Sequence, residues 1–353
     1  MMKVIKFNDM NDKQFQSYMN LITRIRKKYK KNTFVLDYDW NEYRDYFFRD
    51  YNDFREFKES RVNIYEDGSR VSLTEYILFK EEKPIAFIAY KRLSGNRYEF
   101  IFDTEYSDLP EDVCKMIFKV LISFFENTDA KQICHLSNKN SDIEVFSKYG
   151  IEIIEQIVTS KLQSKDFDID KLKSIINGNE FAKDLELKLL KKIPEEIYGR
   201  YIDYMNDILK EKERFNPERD DFVKYQYKDL MRSIEIDEED GDPMYMYMLF
   251  DNENIAGSCK IYIEKEDDGV FIQHCGGLTG VAGNYRGKGL AKYLKASMYL
   301  KISEDYPGFR HAITDTYPWN KYMYKINEEL GFRIYNQGSI FKFTKSNLYK
   351  INF

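Results

Sequence analysis

The chain is poor in the residues that build metal centres and disulfides. Three of its 353 residues are histidine (His135, His274, His311) and four are cysteine (Cys114, Cys134, Cys259, Cys275). The cysteines lie far apart, with no Cys-x-x-Cys pair. That pattern argues against a structural zinc site, so no metal is expected. It marks the cysteines as reduced, mostly core residues of a cytoplasmic protein. A basic excess is also missing: 55 Lys+Arg stand against 60 Asp+Glu, a formal net charge of -5. A dedicated nucleic-acid binder usually shows the opposite balance. No apolar run approaches the roughly 18 residues of a membrane span. The opening MMKVIKFNDMNDKQ has no apolar signal-peptide stretch. Neither a nucleic acid nor a membrane is an expected partner.

What is present suits a folded protein of two domains. The hydrophobic fraction is 43% and the charged fraction 33%, enough to bury real cores at this length. The chain repeats itself. Phe79-Lys80-Glu81-Glu82-Lys83-Pro84-Ile85-Ala86 resembles Phe250-Asp251-Asn252-Glu253-Asn254-Ile255-Ala256, each a strand, a charged turn and a second strand. Further on, KQICHLSNKN (131–140) matches HAITDTYPWN (311–320), and Lys148-Tyr149-Gly150-Ile151 matches Glu329-Leu330-Gly331-Phe332. Between hairpin and strand each copy carries a stripe at helical spacing. The stripes are Val113, Ile117, Val120, Leu121, Phe124 and Leu290, Ala291, Leu294, Met298, Ile302. Each half reads as helices, a strand meander, then helix, strand, helix and strand: a mixed α/β order around one sheet.

The most informative segment is GGLTGVAGNYRGKGLAKYLK (276–295). A strand ends near Val281, and Arg286-Gly287-Lys288-Gly289-Leu290-Ala291 opens a helix. Glycines let the backbone approach a ligand closely. Amides at a helix N-terminus point outward, and the helix dipole favours negative charge. Arg286 and Lys288 add full positive charges. The segment is an anion cradle, and it is neither a Walker A loop nor the GxGxxG of dinucleotide binders.

Arg286-x-x-Gly289-x-Ala291 resembles the Q/R-x-x-G-x-G/A motif of the GNAT acyltransferases, which cradles the diphosphate of acetyl-CoA. Thr316, Asn320, Met323, Asn327 and Leu330-Gly331-Phe332 resemble the signature of a GNAT branch that includes tandem enzymes such as mycothiol synthase. The resemblance covers about residues 181–353 and implies two tandem GNAT domains. Each would be a mixed, mostly antiparallel twisted sheet flanked by helices. In the same register the first copy places Glu105, Tyr106, Ser107, Asp108, Leu109 and Pro110 where the cradle should be. Carboxylates repel a diphosphate and proline removes a donor amide. Residues 1–165 are therefore expected as a degenerate GNAT-like domain without a CoA cradle, 166–180 as a linker and 181–353 as the catalytic domain.

The resemblance implies direct transfer of an acetyl group from acetyl-CoA to an amine in a ternary complex. It implies that the pantetheine arm pairs with the strand around Leu278, Thr279, Gly280 and Val281, between splayed fourth and fifth strands. It also places at Asn320 an asparagine that bonds the cofactor; a helix N-cap is the alternative role. An alkyl ammonium with a pKa near 10.4 must lose a proton before it attacks. In FIQHCGGLTGV the titratable groups are His274, a base candidate, and Cys275, an acyl carrier or a small core thiol. Glu264 could act through water. Many GNATs carry a tyrosine acid where this chain has Asn327; Tyr324 and Tyr322 are nearby.

Residues 193–233 are expected to supply two substrate-facing helices with a loop at 210–221. Tyr201, Tyr204, Met205 and Phe215 would line an acceptor pocket or simply pack. The run 237–242 reads as an acidic loop, either a solvated turn or an attractor of a cation. The expected partner is a small amine or amino-sugar-like molecule; monomer and homodimer both remain open. The rivals are a CoA-binding module without catalysis, an aminoacyl or peptidyl transferase built of tandem GNAT halves, and a protein N-terminal acetyltransferase.

Overall fold

The computed structural model describes residues 2–6, 9–11, 13–18, 20, 21, 24, 73–92, 96–104, 106, 108–137, 139–215, 224–240, 244–266, 269–274 and 278–351. In chain order the strands are β1 (Met2–Lys6), β2 (Leu73–Lys80), β3 (Lys83–Arg92), β4 (Arg97–Thr104), β5 (Gln132–Ser137), β6 (Glu152–Gln163), β7 (Glu186–Leu190), β8 (Met244–Asp251), β9 (Asn254–Glu266), β10 (Gly269–Gln273), β11 (Thr279–Val281), β12 (His311–Thr316) and β13 (Arg333–Phe343). Besides helical residues near the start of the chain, the α-helices among the described residues are α1 (Glu111–Asn127), α2 (Asn140–Lys148), α3 (Ile169–Asn177), α4 (Tyr198–Phe215), α5 (Tyr227–Asp240), α6 (Leu290–Asp305), α7 (Lys321–Glu329) and α8 (Lys345–Leu348).

Two compact units result. Unit 1 comprises Met1–Ile157 with Gln337–Phe353, and unit 2 comprises Val158–Asn336. The unit 1 sheet runs β1-β2-β3-β4-β5, and the end of β13 pairs with β5. All pairs are antiparallel except β4–β5. The unit 2 sheet runs β7-β8-β9-β10-β12, and the end of β6 pairs with β12. There the parallel pair is β10–β12, with β11 set on β9. A parallel pair joined by a helix is the one place in each sheet that needs a crossover, and α1 and α6 are those helices.

The units thus end elsewhere than at the sequence boundaries of 165 and 181. A strand can be assigned to the copy that precedes it or to the sheet it bonds, and hydrogen bonding decides for the sheet. Within residues 166–180, expected as a polar linker with a possible short helix, Ile169–Asn177 form α3, whose Leu172 is buried in the unit 2 core. The reason is its own amphipathicity: Asp168 caps the helix by accepting from Lys171 N at 2.9 Å, and α3 packs on α6.

The expected periodicities become buried faces. Val113, Ile117, Val120, Leu121 and Phe124 all face the unit 1 core. That core is aromatic: Tyr90 stacks on Phe124 at 3.8 Å, and Phe146 meets Phe341 and Phe343 edge-on. Such pairs contribute about 0.5–1.5 kcal/mol each beyond their area. In unit 2, β8 alternates: Met244, Met246 and Met248 pack under α4 and α5, whereas Tyr245 and Leu249 face α6. The acidic run expected as a loop begins as helix, since α5 extends to Asp240; residues 241–243 lie outside the described residues. Among the described residues no helix is long and apolar enough to cross a membrane.

Candidate active site

In unit 2 two parallel strands part after a short pairing, and the gap between them is the candidate cleft. Ile272 and Gln273 of β10 pair with Ala312 and Ile313 of β12, and His274 N donates to Ile313 O at 2.9 Å. Beyond that bond the chain leaves β12. Thr279, Gly280 and Val281 pair with Cys259, Ser258 and Gly257 of β9. The strand β11 is held there from two directions. Tyr204 on α4 donates to Gly280 O at 2.9 Å and bonds Ser258 Oγ at 2.9 Å. A Cβ on Gly257 would come within 2.9 Å of Gly280 O, so only glycine lets β9 and β11 approach this closely.

The cradle follows β11 directly. Gly283 N donates to Asp207 Oδ2 at 2.8 Å, and Tyr285 Oη to Asp251 Oδ2 at 2.9 Å, which pins the turn. Arg286 folds back, its Nε donating to Val281 O at 2.9 Å. Gly287 and Gly289 adopt left-handed φ values of 76° and 75°, and Gly289 is the N-cap of α6. Asn179 Nδ2 donates to Lys288 O at 3.1 Å. The Lys288 ammonium lies 3.9 Å from the Phe181 ring centroid and 5.6 Å from that of Tyr285. The first turn of α6 carries no acid. The amides of Leu290, Ala291 and Lys292 have no acceptor within the helix. Outward amides, a helix dipole and two cations fit a diphosphate.

No protein-family model matches the chain, and no curated protein matches its sequence. Solved structures do. A tandem GNAT protein from the clavulanic acid biosynthesis pathway has a TM-score of 0.67 at 10% identity, covering 98% of this chain and 99% of that one. The fold is that of tandem GCN5-related N-acetyltransferases. A GNAT-family acetyltransferase from Colwellia psychrerythraea gives a TM-score of 0.53 at 11% identity, covering 97% of this chain and 100% of that one. A GCN5-related N-acetyltransferase from Sphaerobacter thermophilus gives 0.53 at 10% identity, covering 77% and 80%.

Within this GNAT fold the sequence-predicted residues take up different stations. Thr279–Val281 form β11 and Arg286–Ala291 the turn and first residues of α6; Leu278 precedes them, its carbonyl accepting from Lys260 N at 3.1 Å. His274 lies behind the cleft and is 4% exposed. Its Nδ1 is 3.0 Å from Tyr299 Oη and its Nε2 2.8 Å from Thr279 Oγ1. Burial, and then the Lys295 ammonium, hold His274 well below the usual histidine range. Cys275 lies outside the described residues. Asn320 caps α7, its Oδ1 accepting from Met323 N at 3.2 Å. Tyr324 is half-buried on α7, and Tyr322 is exposed. Glu264 is half-buried on β9 opposite Phe271. Tyr201 and Tyr204 are buried and pack with Ile208 and Met248 rather than lining an open pocket; the Phe215 side chain lies outside the described residues.

The sequence reading missed Lys295. This lysine is 1% exposed, with Nζ 2.6 Å from Asn327 Oδ1 and 3.4 Å from Thr314 Oγ1. Asn327 Nδ2 in turn donates to Thr316 Oγ1 at 2.9 Å. Two members of the second motif, Thr316 and Asn327, therefore tie β12 to α7 and hold the lysine. A signal existed: Lys295 sits between Ala291 and Met298 in the apolar stripe of α6, where a charge demands buried partners. Asn179 was missed because its partner is remote in sequence.

Unit 1 has the same parting of strands with different contents. Beyond the last β4–β5 pair, Glu99 with Cys134, Lys139 Nζ meets Asp103 Oδ1 at 3.1 Å. The helix α1 begins after Pro110 with Glu111 and Asp112 in its first turn. Leu109 is buried and Asp108 exposed; Glu105 and Ser107 lie outside the described residues.

Proposed function

We propose that unit 2 is an N-acetyltransferase that takes acetyl-CoA and a small-molecule amine. The observation that carries this reading is the left-handed Gly287–Gly289 turn opening α6 immediately after a strand that has parted from its parallel neighbour. The cradle binds the diphosphate through the amides at the start of α6, with Arg286 and Lys288 supplying charge. The edge of β11 is left for the amide-bearing pantetheine arm, and Asn320 lies beyond the end of β12, at the start of α7. CoA supplies an activated acyl group: the amine nitrogen bonds to the thioester carbonyl carbon, the C–S bond breaks and the thiolate departs. A thiol pKa near 8.5 makes that thiolate a tolerable leaving group, and we assign Tyr324 on α7 as its proton donor. The ammonium first gives one proton to solvent, and the proton that the nitrogen sheds on amide formation replaces, through solvent, the one Tyr324 gives to the thiolate.

Unit 1 is read as a GNAT scaffold that binds no CoA. The Lys139–Asp103 pair bridges its parted strands, and the acids at the start of α1 repel the anion that α6 attracts.

Thiol release from acetyl-CoA across a broad panel of amines tests the proposal. Turnover with at least one amine is expected, with loss in Arg286→Glu and Gly289→Asp. Tight CoA binding without turnover on any amine would favour a binding module instead. Variants that turn over like the parent would remove the cradle from the mechanism.

A further inference from the structure

His274 touches four other elements around the parted strands. Its backbone amide makes the last bond to β12, at Ile313 O. Its ring reaches Tyr299 on α6 and Thr279 on β11, and its Nε2 lies 3.9 Å from Cys259 Sγ on β9. Thr279 Oγ1 donates to Cys259 Sγ at 3.4 Å. With Thr279 as the donor to Cys259, one assignment of the ring protons satisfies these contacts. A neutral imidazole has one donor and one acceptor nitrogen. The Thr279 hydroxyl gives its proton to Cys259, so it accepts from His274 Nε2–H. The other nitrogen, Nδ1, then accepts from Tyr299 O–H. The Tyr299, His274 and Thr279 protons are then committed, and the ring has no lone pair left for a substrate.

The side of the sheet matters as much. Along β10 the side chains alternate, so His274 faces α6 together with Ile272, whereas Tyr262 and Met248 lie under α4 and α5. The titratable groups that face the ring are Tyr299 and Lys295 from α6 and Cys259 from β9. Burial pushes the Cys259 thiol up to about 11, so it stays protonated.

We propose that His274 is a positioning residue and not the base. It ties β11, whose edge lines the cleft, to α6, whose N-terminus carries the cradle. It thereby sets the separation between the strand that takes the pantetheine arm and the turn that takes the diphosphate. The inference rests on the acyl-CoA reading of unit 2.

Three variants of the full chain test it: His274→Leu, which keeps bulk and offers no hydrogen bond; His274→Gln, which keeps a donor for Thr279 and cannot titrate; and Tyr299→Phe. CoA affinity is read by calorimetry, and kinetics with acetyl-CoA are read against pH. His274→Leu is expected to weaken CoA binding and raise the acetyl-CoA KM about tenfold. His274→Gln should recover most of that loss, and Tyr299→Phe should move in the same direction as the leucine variant. The amine KM and the acidic limb of the pH profile stay in place, and kcat of His274→Gln stays within about threefold. Loss of a true base would cut kcat by about 10²–10⁴ and remove the acidic limb; that result overturns the proposal. So does CoA affinity equal to the parent's in Tyr299→Phe, the milder variant that keeps the test open if leucine does not fold. A parent that binds no CoA overturns the functional reading itself, before any variant is compared.

Discussion

Gly287 and Gly289 share the same left-handed backbone, yet a methyl group should cost them differently. A Cβ on Gly287 meets nothing within 4 Å, whereas one on Gly289 comes within 3.0 Å of Asn179 Nδ2. That nitrogen donates to Lys288 O at 3.1 Å, so it cannot retreat without breaking the bond. Gly287→Ala therefore costs the left-handed strain only, about 1–2 kcal/mol. Gly289→Ala costs the same strain plus the lost hydrogen bond, about 1 kcal/mol more. In an Asn179→Ala background the two substitutions should cost the same, a coupling of about 1 kcal/mol between residues 179 and 289. Trp319, stacked on Tyr317 at 5.1 Å, reports unit 2. Denaturant unfolding followed by its fluorescence, with Trp40→Phe removing the other tryptophan, gives each free energy. Equal costs at both glycines in the parent, or additivity within about 0.3–0.5 kcal/mol, would refute the reasoning that Asn179 clamps the cradle.

Three further outcomes follow from the same geometry. Lys295→Met strips the donor from the buried Asn327 Oδ1 and should destabilise unit 2 by about 1–3 kcal/mol. It should also raise the His274 pKa, which stays below the usual range because burial is the larger cause of its depression; NMR titration of the three imidazoles reads this. Both His274 and His135 are buried with pKa values below 6.5. The unfolded chain takes their protons first, so their contribution is complete above about pH 6.5 and is lost as pH falls. His274→Gln should flatten that acid loss for Trp319, and His135→Gln should not. Calorimetric titration with CoA should give one site per chain; two sites would end the reading of unit 1 as unable to bind.

Much of the fold was legible because it is encoded in short-range patterns. The stripes Val113–Phe124 and Leu290–Ile302 have helical period and became helix faces against a core. The alternation of Met244–Leu249 sorted the methionines to one face of the sheet and the tyrosine and leucine to the other. The turn that opens α6 was legible for the same reason: two glycines, two cations and a helix start lie within six residues, and left-handed φ is a local property of glycine. The end of α5 was not legible in its polar run, and the amphipathic spacing of residues 169–177 allowed a helix without saying that it packs on α6.

By itself the sequence determined the repeat, the strand–helix order and the glycine turn that opens α6, because backbone preference and side-chain period act over a few residues. Only the tertiary structure decided which sheet receives the last strand, which hydrogen-bonded chain absorbs the His274 ring and which partners neutralise the cost of burying Lys295. Those outcomes depend on contacts between residues as distant as Asn179 and Lys288, or Lys295 and Asn327. A histidine has the same chemistry in the sequence whether it faces a substrate or a tyrosine. The parity of β10 and the burial behind it, not the residue type, aim it at Tyr299.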